Sequence, residues 1–203
     1  LWQAGDMGLL QKIEDETITS NIKKEFLDPN NFWVPLTFRS RIIVYSKDRV
    51  DVNELDSYES LADKKWENRL LIRSSSNSYN QALMSSIIAN NGSKVAERWS
   101  SDIVSNLARD PKGNDRDQVK AIAAGQGDLA VVNSYYIGLL LSSDKEDELN
   151  AGNSVGVFFP NQGVDQSGAH INVSGIALTK NSPNKENALK LIAYLTSSVA
   201  HQT

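Results

Sequence analysis

The strongest constraint on this chain is a repeated change of hydrophobic period, from strand-like runs to helical spacing and back. Arg69–Arg73 ("RLLIR") is a short apolar run, and Ser74–Asn77 a turn-and-cap cluster. A helix over about Tyr79–Asn90 follows and is closed by Asn91-Gly92. Ser93–Leu107 then sets Val95, Trp99, Ile103, Val104 and Leu107 at helical spacing, until "ARDPKGND" breaks the pattern. "DRDQVKAIAAGQGD" reads as an amphipathic helix ending at Gly125. "LAVVN" is a strand, and "SYYIGLLLSS" turns helical again. Strands and helices alternating at such intervals predict an α/β architecture.

The flanks read less cleanly. Residues 1–12 put Leu1, Trp2, Met7, Leu9 and Leu10 on one side of an apparent helix, weakened by Gly5 and Gly8. After a break at Pro35, Phe38, Ile42, Ile43, Val44 and Tyr45 predict a buried strand. "YESLADKKW" predicts a short helix, residues 144–170 a loop-rich stretch with one apolar run, "SVGVFFP", and "HINVSGIALTK" a strand. "NSPNKENALKLIAYLTSS" predicts a last helix with Pro183 near its first turn, and helical character runs on toward "VAHQT". Neither end carries a start or stop signal, which predicts a piece of a longer protein whose targeting segment lies outside this sequence.

Composition removes whole classes of function. The 203 residues hold no cysteine, so disulfide frameworks, thiolate metal sites and cysteine nucleophiles are excluded. Two histidines, His170 and His201, are too few for a His-rich zinc site. A net charge of −4 supplies no broad basic face for nucleic acid or an anionic membrane. No apolar run approaches the length of a membrane-spanning helix. No G-x-S-x-G elbow and no P-loop occur, and a triad built on Ser174, or a serine of 74–76, would lean on His170 alone. The chain is therefore read as a binding protein and not an enzyme.

The most unusual residues are Tyr135 and Tyr136, set where a strand gives way to a helix. Ligands of open α/β sheets bind outside the carboxyl ends of strands. A deprotonated phenol is a hard oxygen donor suited to a small, highly charged cation, and ferric iron is the natural match. Tyr79 stands just inside a second helix after a Ser-rich turn, where backbone N–H groups favour anions. Arg39 and Arg41, two apart on a strand, face one way. Near a core they need carboxylates or an anionic ligand set, and otherwise they are surface residues. The bland alternatives are one packed and one exposed phenol, and a serine turn that is only a cap.

Four segments in order, "WVPLTFRSRIIVYSKDRV", "RLLIRSSSNSYNQALMSSIIANNG", "RDPKGNDRDQVKAIAAGQGDLAVVNSYYIG" and "HINVSGIALTKNSPNKENALKLIAYLTS", resemble periplasmic ferric-iron-binding proteins of bacterial ABC importers. The likeness is greatest to their cyanobacterial branch and covers essentially the whole chain. It implies a type II periplasmic-binding-protein fold, with two α/β lobes joined by hinge strands and the first lobe incomplete. Residues 1–45 would belong to lobe 1 and the first crossing, 46–168 to lobe 2, and 169–203 to the second crossing and the return. The hinge would lie near Ile42–Ser46 and Ile171–Gly175. The resemblance makes Tyr79, Tyr135 and Tyr136 phenolate ligands of Fe3+ in an interlobe cleft, with Arg39 balancing their charge. Ser75, Ser76 and Asn77 match the turn that holds a synergistic anion in other members. The family pattern also implies a further metal ligand from a segment preceding Leu1. It makes inner-membrane permease subunits the partner, the protein a monomer and the periplasm its compartment. Another ligand on the same fold (an oxyanion, a polyamine or thiamine) is the alternative, and a hydrolase a more distant one.

Overall fold

The computed structural model describes residues 1–200, and His201, Gln202 and Thr203 lie outside the described residues. The chain divides into two compact units. One is the continuous segment Arg39–Asn172, and the other combines Leu1–Phe38 with the described part of Val173–Thr203.

The continuous unit is built on strands whose neighbouring residues feed opposite cores. In β2 (Trp33–Ser46), β3 (Leu70–Leu71) and β4 (Leu129–Asn133), side chains alternate across the sheet. Ile43, Leu70, Leu129 and Val131 join one buried cluster with Leu83, Ile87, Trp99 and Ile103. Ile42, Val44, Leu71, Ala130 and Val132 join another with Val119, Ile122, Ile137, Leu140 and Val155. The first cluster takes its helical residues from α3 (Ser78–Asn91) and α4 (Ser93–Ser105). The second takes them from α5 (Asp115–Ala123), α6 (Tyr135–Leu141) and α7 (Glu146–Ser154). Every residue of "LAVVN" is buried because both faces of its strand are covered, which is why it reads as an unbroken apolar run.

β2 is antiparallel to β4 through Arg41–Asn133 to Tyr45–Leu129, and antiparallel to β5 (Val155–Phe158) on its other edge. β3 runs parallel to β4. Gly156 pairs with Tyr45, and a Cβ there would collide with the Tyr45 ring, so the aromatic lies over the glycine. Asn114 caps α5, with Asp117 returning a bond to the Asn114 N–H at 2.7 Å. Asn114→Ala should lower stability by about 1 kcal/mol, read from a urea midpoint at unchanged slope; an unshifted midpoint would mean water replaces the cap at no cost.

In the other unit, β1 (Leu10–Gln11) pairs antiparallel with β6 (Ile171–Thr179), and α8 (Lys185–Thr196) brings Ile192 to a core of Ile13, Ile18, Val34 and Leu178. Two short helices, α1 (Trp2–Asp6) and α2 (Glu16–Thr19), complete it.

Several predicted elements change form. The helix expected over residues 1–12 stops at Asp6, because Gly8 takes φ +67° and the chain re-enters a strand at Leu10. Pro35 does not break β2 but lies within it, and Phe38 is exposed. The short helix of "YESLADKKW" is two 3-10 turns, Glu59–Ala62 and Lys64–Trp66. Residues 146–154, expected as loop, form α7. The chain passes between units at Phe38–Arg39 and Asn172–Val173. Ile42–Ser46, expected as a crossing, is instead paired inside the continuous unit.

Candidate functional site

Three of the predicted residues meet at one end of the Arg39–Asn172 unit. β4 ends at Asn133, Ser134 makes the turn, and Tyr135 and Tyr136 open α6. That turn is tied to β2 by Ser134 N–H to the Ser40 carbonyl (2.9 Å) and by Ser40 N–H to Ser134 Oγ (3.3 Å). The two phenol rings lie 4.1 Å apart between centroids at 32°. Tyr79 reaches the same place from the first turn of α3, whose N-terminus Asn77 caps by accepting from Tyr79 N–H at 3.0 Å. Partial burial first, then the adjacent hydroxyls of Tyr136 and Tyr79, push the Tyr135 phenol above its ordinary value of 10. Tyr135 remains 39% exposed, so the cluster opens to solvent.

Guanidinium groups surround the Tyr79 ring. Arg39, Arg41 and Arg73 place their central carbons 5.6, 6.0 and 5.6 Å from its centroid. Arg41 is fully buried, and Asp115 is what makes that tolerable. The Asp115 carboxylate accepts from Arg41 Nη1 at 2.7 Å, from Arg73 Nη1 at 3.1 Å and from Asn133 N–H at 2.7 Å. Arg41 also donates to Asn80 Oδ1 (2.7 Å), Asn133 Oδ1 (3.2 Å) and the Val131 carbonyl (2.9 Å). Burial pulls its guanidinium below the usual value, and the Asp115 charge opposes that. One buried carboxylate at the start of α5 thus joins β2, α5 and the end of β4 just before the tandem tyrosines.

The expectation that Arg39 and Arg41 share a direction agrees with this geometry, since both approach Tyr79. The partner that sequence reasoning missed is Asp115, along with Asn80 and Arg73. The signal available for Asp115 was its place at the first helical position in "GNDRDQ". Ser75 and Ser76 are exposed, Ser74 Oγ and Ser76 Oγ lie 2.8 Å apart, and the Asn77 side-chain carbonyl is committed to its cap. His170 is half-buried, and its Nε2 has no hydrogen-bond partner among the described residues. Among the described residues, no group of three or more His, Cys, Asp or Glu side chains could hold a metal. No described helix is long and apolar enough to cross a membrane.

The arrangement is one of clustered hard oxygen donors in a positively charged surround, on the α/β framework of a solute-binding protein. Residues 1–203 match the family model described as bacterial extracellular solute-binding protein, and the chain belongs to that family. It is 42% identical over 200 residues to iron uptake protein A1 of Synechocystis sp., covering 98% of this chain and 55% of that protein. The structure of Trichodesmium IdiA (FutA) in complex with iron and citrate superposes with a TM-score of 0.93 at 43% identity, over 99% of this chain and 63% of that one. A ferric binding protein from Campylobacter jejuni gives 0.88 at 40% identity, over 97% and 62%. The type II periplasmic-binding-protein fold expected from the sequence is the fold of these structures. The chain spans less than two thirds of the length of these relatives.

Proposed function

We propose that this protein binds ferric iron through the phenolates of Tyr79, Tyr135 and Tyr136 and delivers it, in the periplasm, to the inner-membrane permease of an ABC importer. The observation that carries this reading is the meeting of three phenols from two helices beside three arginines. Relatives named for iron uptake and ferric binding support it. Arg39 offsets part of the phenolate charge. Ser75, Ser76 and Asn77 form the turn that a synergistic anion would approach, through exposed hydroxyls and not through the capping carbonyl of Asn77. The protein acts as a monomer, with the two chain crossings as its hinge. A polyamine fits poorly, since the one carboxylate in this cluster is held by arginines.

Metal binding must displace the phenolic protons, and Tyr135 holds its proton more firmly than a free phenol does. Titrating the protein with ferric citrate should therefore raise a visible phenolate-to-iron charge-transfer band. The band should fade as the pH is lowered and protons reclaim the oxygens. A protein that takes up no iron and shows no band over the whole titration would overturn the proposal.

A further inference from the structure

A cavity of about 350 Å3 lies between α3, α4 and the loop after α4, within the roughly 300–1,000 Å3 range of small-ligand sites. Its wall is apolar, formed by Leu83, Met84, Trp99, Ile103 and Leu107, and the Trp99 indole is fixed by Nε1–H donation to the Tyr58 carbonyl at 2.8 Å. No acidic side chain lines it, whereas Arg73 does. Arg41 and Arg73 share the single carboxylate of Asp115, which leaves one positive charge beside the cavity. Arg73 Nε also has no hydrogen-bond partner.

We infer that this cavity binds a small monocarboxylate with an apolar body, its head on Arg73 and its body along Trp99, Leu83 and Met84. The charge commits the occupant: an uncharged molecule would leave the Arg73 surplus unanswered, and a cation would meet it with repulsion. The cavity borders the phenol cluster through Arg73 and Ser75, but the inference does not rest on the iron reading.

Octanoate and octan-1-ol serve as charged and neutral probes in an NMR titration of the protein, following the Trp99 indole N–H and the Leu83 and Met84 methyls. Octanoate should shift these signals saturably and bind about tenfold more tightly than octan-1-ol, the worth of a charge-assisted contact. Val104→Trp, at a position 66% exposed on the cavity wall, should fill the space without disturbing the core and weaken octanoate at least about tenfold. Unmoved Trp99 and Leu83 signals, equal binding of the alcohol, or full octanoate affinity in Val104→Trp would each overturn the assignment.

Discussion

Asp115→Asn should destabilise the Arg39–Asn172 unit by about 3–5 kcal/mol, the cost of stranding a buried charge without its partner. Arg41 has no exposed surface, so its guanidinium cannot turn to water when the carboxylate is lost. The amide keeps the shape but turns one acceptor oxygen into a donor nitrogen, which would face Arg73 at the Oδ1 position or both Arg41 and the Asn133 N–H at the Oδ2 position. Arg73→Gln should cost less, because Arg73 is 17% exposed and Asp115 keeps Arg41. Urea midpoints of the two single variants and the double would measure the coupling directly. A loss below about 1 kcal/mol for Asp115→Asn would mean that water reaches Arg41 and the pair is not the keystone its burial implies.

Tyr135→Phe and Tyr136→Phe should each abolish the ferric charge-transfer band and weaken iron binding more than about 100-fold, since even partners that only orient a ligand are worth about 10–100-fold. Each change removes one oxygen and keeps the ring, so the 4.1 Å ring contact and the packing of α6 survive. Tyr194→Phe, on α8 and 53% exposed, provides the control and should leave the band intact. Retention of full colour and affinity in Tyr135→Phe would remove that phenol from the coordination set. If both single variants kept them, the tandem pair would have no part in the metal site.

What the sequence disclosed follows from which interactions are local. α3, α4 and α5 were legible because the cap cluster Ser74–Asn77 and the breaks at Gly92 and in "ARDPKGND" lie next to the helices they bound. β4 was legible because burial on both faces writes itself as an apolar run. α7 was missed because "EDELNAGNS" has few apolar residues and a glycine; its helix is held by packing on α5 and α6 and by Lys120 bridging to Asp147 and Glu148. Pro35 misled because a strand accepts proline wherever its missing N–H is not required. At the site, the tyrosines stood out by type and place. Asp115 did not, since a carboxylate opening a helix looks like ordinary dipole compensation until Arg41 is found beneath it.

The two-unit division sets an order of assembly. Arg39–Asn172 is one uninterrupted stretch, while the other unit needs residues from both sides of it. During synthesis the continuous unit can condense while Val173–Thr203 is still being made, so the contacts between Leu1–Phe38 and that segment form afterwards. Once the continuous unit folds, Arg41 N–H bonds the His170 carbonyl at 2.9 Å, and the Tyr58 hydroxyl accepts from His170 N–H at 3.0 Å while donating to the Arg41 carbonyl. These bonds hold together the two points where the chain leaves the unit. A closure spanning more than a hundred residues becomes, for the waiting segments, the closure of a short loop.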